Sequence, residues 1–107
     1  MLSLTLLLPH TSIIMDIAIY IYSILQSNPM VMWIWGFNSP KALSNQEGLI
    51  FKVDGFKHKG WVKVVYDQGK DLFEVILLDN ENNVLQRFED VYIDCLIEII
   101  DGAVDTD

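Results

Sequence analysis

The 107-residue sequence holds one cysteine, two histidines and one arginine, and its first forty residues hold a single charge, Asp16. Each scarcity excludes something. The lone Cys95 excludes an internal disulfide and leaves no thiol pair for zinc or redox work. It fits a reducing compartment, and the cytoplasm is the expected location. His10, His58 and Cys95 are too far apart for metal-ligand spacing, so no metal is expected. With two histidines there is no triad pattern around a Ser or Cys. There is also no GxGxxG and no Walker loop. The expectation is a protein that is not an enzyme and takes no cofactor.

What is present is apolar. Half of the chain is hydrophobic, 51%, against 21% charged residues, which gives one domain enough material for a core without covalent staples. The net charge of −8 is unevenly spread. Residues 41–63 carry five lysines against Glu47 and Asp54, a local +3. Residues 67–107 carry twelve acids against Lys70 and Arg87, a local −10. At long range such a chain is repelled by nucleic acid and by anionic membrane, whereas a basic patch acts at short range. The acidic segment reads as a solubilising surface, as a docking face for a basic partner, or as an imitation of nucleic-acid charge.

The opening "MLSLTLLLPHTSII" differs from the rest. It has no basic n-region and no small-x-small cleavage site, so it does not read as a signal peptide. Residues 2–25 are apolar enough to raise a membrane anchor. Pro9, His10 and Asp16 interrupt them, and the longest clean piece, Ile17–Leu25, falls short of the roughly 20 residues a span needs. Met15 reads as a natural protein start. Residues 1–14 are therefore expected to be an extension, from a misassigned start or as a loose arm, on a single domain of residues 15–107.

The patterning predicts an α+β domain: an N-terminal helix, an apolar strand, an antiparallel meander of three to four strands, and a C-terminal helix packed on the sheet. Over 12–27, Ile14, Ile17, Ala18, Ile21, Ile24 and Leu25 form one helical stripe, with Ser12 as N-cap and "SNP" (27–29) as stop. The run Met30–Phe37 in "NPMVMWIWGFNSP" is apolar on both faces at strand spacing, with Val31, Trp33 and Trp35 on one side. It reads as a strand covered on two sides, its tryptophans architectural. Strands follow at 49–53, 61–66, 72–78 and 84–88, the first pair joined at Asp54-Gly55 by a hairpin signal. Ile93, Leu96, Ile97 and Ile100 mark the last helix, capped by Asp90 or Asp94 and ended by Gly102.

Two stretches suggest sites. "FKVDGFKHKGWVK" (51–63) interleaves the aromatics Phe51, Phe56 and Trp61 with Lys52, Lys57, His58, Lys59 and Lys63. Cations follow phosphates and aromatics stack on bases, which is what single-strand binding requires. At a hairpin tip Lys57, His58 and Lys59 would project into solvent; the same lysines would also guard a sheet edge. "DNENNVLQRFED" (79–90) begins like a calcium loop, but Val84 stands where the sharp turn needs Gly and Asp90 where a bidentate Glu belongs.

The segments "NPMVMWIWGF", "GFKHKGWVKVVYDQGKDLFEVILLD" and "VYIDCLIEIID" resemble small uncharacterised proteins of gut anaerobic bacteria and their mobile elements, over about residues 15–101. That resemblance implies no activity and transfers no site residue. The sequence therefore leads to a small non-enzymatic interaction domain, acting through a protein partner or through self-association. A nucleic-acid-associated module using the 51–63 hairpin is the first alternative, and a membrane-associated protein anchored by residues 1–25 is the second.

Overall fold

A computed structural model of the chain describes residues 10–44 and 47–105, with the backbone alone over 10–16. The elements run α1 (His10–Gln26), α2 (Pro29–Trp35), β1 (Asn38–Ala42), β2 (Gly48–Asp54), β3 (Lys59–Asp67), β4 (Leu72–Leu78), β5 (Val84–Val91), a 3-10 turn (Ile93–Cys95) and α3 (Leu96–Val104). The five strands form one antiparallel meander in the order β1-β2-β3-β4-β5. The fold is α+β, with helices at both ends of the sequence and the sheet between them. Residues 1–9 of the expected extension lie outside the described residues, and α1 runs through Met15.

The expected stripe of α1 packs from Ile17 to Leu25, and the side chain of Ile14 lies outside the described residues. Ala18, Ile21 and Leu25 are buried, and Ile17 packs against the core they enter. The helix stops at Gln26, ahead of Pro29, as the residue before a proline resists the α conformation. Its start lies at His10, so Ser12 sits inside the first turn rather than at the cap.

The run 30–37 is corrected: it forms a helix, α2, and not a strand. Pro29 occupies the first turn, where its fixed φ and missing N–H cost nothing. Gly36 closes the helix at φ 68°, in the left-handed region that glycine enters freely. Its N–H donates to Trp33 O, and the N–H of Phe37 donates to Met32 O at 3.0 Å, which is a Schellman closure. Helical period then separates the two tryptophans. Trp35 is fully buried and donates its indole N–H to Asp101 Oδ1 on α3 at 2.9 Å. Trp33 is 81% exposed. Only Trp35 is architectural.

Strand β1 was not foreseen. Its five residues, NSPKA, are all exposed and show no alternation. As an edge strand it tolerates Pro40, which lacks an N–H for the ladder. A bulge between Asn38 and Lys41, with Ser39 at φ 56°, bends it.

The inner sheet face carries Leu49, Phe51, Val53, Val62, Val64, Phe73, Val75 and Leu77, all buried in one cluster with α1, Trp35, Leu96, Ile100 and Val104. Phe51 stands at the centre, stacked near Trp35 at 6.5 Å and against Phe37 at 4.6 Å. The C-terminal helix also ends differently from expectation. Gly102 lies within α3, which continues to Val104. Neither Asp90 nor Asp94 caps it: Cys95 precedes α3 and Tyr92 precedes the 3-10 turn, each without a side-chain cap bond.

Candidate functional site

The stretch 51–63 folds as β2, a loop and β3, and its candidate residues part company. The expected two-residue turn at Asp54-Gly55 is a four-residue loop, 55–58, closed by the Asp54–Lys59 pair. The end of α3 holds this loop. The N–H groups of Lys57 and His58 both donate to Val104 O, at 2.8 and 3.2 Å, and Lys57 Nζ donates to Gly102 O at 2.6 Å. Two helix-terminal carbonyls that would lack intrahelical partners are thereby satisfied.

His58 does not project into solvent. It is 7% exposed, with Nε2 3.1 Å from Trp61 O. The ring is held inward by this contact with the Trp61 carbonyl, while the backbone N–H of His58 is engaged by α3. Lys59 is engaged with Asp54 Oδ1 at 3.0 Å and Gly55 O at 3.1 Å. Phe56 is exposed at the tip. The loop thus presents one aromatic ring and little free charge.

The other three residues, Lys52, Trp61 and Lys63, belong to a different surface. Strand parity places them on the outer face of the sheet, opposite the core cluster. Register extends this face across all five strands. One ladder row reads Lys41–Ile50–Lys63–Ile76–Arg87; the next reads Asn38–Lys52–Trp61–Leu78–Val84. These ten positions hold four cations and no acid, while the rest of the chain, with three cations and fifteen acids, carries −12.

The cations of this face are differently engaged. The ammonium of Lys52 lies 5.6 Å from the Trp61 ring centroid, a cation–π contact. Arg87 pairs with Glu74 in the flanking row at 2.9 Å. Lys41 and Lys63 make no ion pair with the described residues. Ile76 and Leu78 are 6% and 4% exposed although they face away from the core. Long neighbouring side chains shield apolar surface while keeping their charged heads in water. Lys41 and Arg87 were not among the residues expected at a site: each lies on an edge strand far in sequence from 51–63, and only the register reveals them.

Helix α2 offers a second surface, with no charge of its own. Met30, Trp33 and Ile34 fall at i, i+3 and i+4 on α2 and are all exposed; on α1, exposed Tyr20 lies beside Asp71 and Asp94 and exposed Ile19 beside Lys41. No charge occurs from residue 17 to residue 40. Among the described residues no single helix is long and apolar enough to cross a membrane. The segment Ile17–Gln26 and α2 meet the apolar criterion only together, bent by 94°.

A cleft of about 540 Å³ opens between α1, the β3–β4 turn and the 3-10 turn, lined in part by Tyr20, Tyr66, Asp71 and Tyr92. Two of its polar groups are paired: Tyr66 Oη donates to Asp71 Oδ1 at 2.6 Å, and Lys70 pairs with Asp90 at 3.1 Å; Asp94 also lines it. The hydrogen bond to Asp71 holds the Tyr66 phenol above its ordinary pKa, helped by partial burial.

In the β4–β5 turn, Asp79 accepts the N–H groups of Asn83 and Glu81 and the side-chain amide of Asn83, at 2.8 to 3.0 Å. These bonds, Asn83's backbone N–H first, lower its pKa. The first position of the would-be calcium loop therefore caps its own turn. No grouping of three His, Cys, Asp or Glu suited to a metal occurs among the described residues. Comparisons with protein-family models, curated proteins and solved structures find no match.

Proposed function

We propose that the chain is a non-enzymatic interaction domain that pairs with a second copy of itself through α2. The observation that carries this reading is Trp33, 81% exposed between Met30 and Ile34 on an uncharged helix face. Trp with aromatic and Met neighbours is the composition of interface centres, where charge is depleted. Two copies of a chain with net charge −8 repel each other wherever their acids meet. Helix α2 carries no charge of its own, so its exposed face adds nothing to that repulsion. A two-fold contact would set the Trp33 face of one copy on the same face of the other, as an isologous interface requires.

Sedimentation velocity over a wide concentration range tests this. The native chain is expected to move between monomer and dimer. Trp33→Ser weakens the dimer by about thirtyfold or more, since a central aromatic anchor is worth about 2 kcal/mol or more. A native chain that stays monomeric at the highest concentration overturns self-association.

A further inference from the structure

We propose that the outer face of the sheet binds a single-stranded nucleic acid, its backbone crossing the strands along Lys41, Lys63 and Arg87 and a base stacking at Trp61. The inference is independent of α2, which lies on the other side of the molecule's core. It moves the basic site from the 51–63 hairpin tip, whose charges are engaged locally, to two ladder rows that draw on all five strands.

Three features carry it. The first is charge: two adjacent ladder rows carry +4, while the flanking rows of the same face carry Asp54, paired with Lys59, and Glu74, paired with Arg87. Lys41, Lys52 and Lys63, in no ion pair with the described residues, form a stripe that attracts a polyanion at short range. The second is spacing. Cation and apolar residue alternate along the row, so Lys41, Lys63 and Arg87 stand two strands apart, about 9–10 Å at the usual interstrand distance. The whole row spans about 19 Å, which matches about five or six nucleotides of a stacked strand and fewer of an extended one.

The third feature is Trp61, half-buried, whose cross-strand neighbour Lys52 covers its ring through a cation–π contact. A phosphate that draws the Lys52 ammonium aside frees the ring for a base, and every base has a face that stacks. An acidic peptide would use the cations but not the ring. A duplex would use the cations without offering an unstacked base. The flat face also presents no helix to enter a groove.

Fluorescence anisotropy of a labelled thymidine oligomer of about twelve nucleotides, titrated with the full chain, tests the proposal. Three or four neutralised phosphates give a log–log salt slope of about −2 to −3, so affinity falls about 20- to 50-fold between about 50 and 200 mM salt. Replacing Lys41 and Lys63 together by Ala reduces that slope by about 1.4. Trp61→Ala weakens binding about five- to hundredfold, with circular dichroism showing that the sheet persists. Trp33→Ser leaves binding unchanged, which separates this proposal from the self-association reading.

Lack of binding at the lower salt overturns the proposal, as does binding that the lysine pair leaves unaltered. Equal affinity for a duplex overturns the single-strand assignment. Equal affinity for a polyglutamate peptide, indifferent to Trp61, also overturns it and assigns the face to an acidic protein segment.

Discussion

Gly55 is where the sheet meets the end of α3, and a single methyl group there tests the packing on which the fold depends. A Cβ on Gly55 would lie 2.4 Å from both Val104 Cγ1 and Val104 O, so the end of α3 must move. Val104 is fully buried, and its carbonyl receives the N–H groups of Lys57 and His58. Overpacking of this kind costs about 1–3 kcal/mol. Loss of the two backbone hydrogen bonds adds about 1–3 kcal/mol together. The sum for Gly55→Ala is about 2–6 kcal/mol, a large part of the roughly 5–15 kcal/mol that stabilises a domain of this size.

Gly102 supplies the contrast. It lies within α3, and a Cβ there meets nothing within 4 Å. Gly102→Ala therefore stabilises by about 0.5–1 kcal/mol through helix propensity. Urea unfolding followed by far-UV circular dichroism reads both variants. A Gly55→Ala midpoint near that of the native chain would refute the docking of α3 on the loop. A destabilised Gly102→Ala would refute its placement inside the helix and restore it as a helix-ending residue.

The remaining predictions concern two other contacts. Trp35→Phe removes the indole donor to Asp101 and part of a fully buried ring, and costs about 2–4 kcal/mol in urea unfolding. Trp33→Ser, at an exposed position, stays within about 0.5 kcal/mol when unfolding is followed at a concentration at which the chain is monomeric; equal costs at the two sites would refute the helical assignment of 29–35. For Tyr66, a pKa raised in the fold means that the contact with Asp71 stabilises the native state below about pH 10, the unfolded value. That contribution fades as pH rises through the higher folded value. Asp71→Asn is expected to bring the last-ionising phenol in an ultraviolet titration to lower pH, with Tyr66→Phe deleting it. A titration that neither variant alters would refute the assignment.

How far the sequence disclosed the fold depended on the signal each element carried. Strands β2 to β4 were legible because the buried core face alternates with residues such as Lys52, Lys63 and Glu74, which writes a period of two into 49–53, 61–66 and 72–76. β5, exposed over most of its length, was marked by the turn at 79–83. Helix α1 was legible from its length and stripe. α2 was not, since a segment apolar on all sides has no period to read; in such a case the punctuation decides, and Pro29 with Gly36 is the punctuation of a short helix. β1 was invisible for the opposite reason. It buries nothing, so NSPKA carries no hydrophobic alternation, and its strand character comes wholly from pairing with β2.

The outer face follows the same logic at the level of a surface. Lys52, Trp61 and Lys63 are close in sequence and were singled out by composition. Lys41 and Arg87 are 46 residues apart and stand four strands apart in the same row. Only the register joins them, and register is set by the buried face: a slip of one residue in β3 would send Lys63 into the core and Val64 to solvent. The burial of Val62 and Val64 therefore fixes Lys63 outward. The inner-face hydrophobics that hold the helices also hold the cations of the outer face in line. A substitution such as Val64→Lys would accordingly harm both faces at once, by burying a charge and by loosening the row that Lys63 completes.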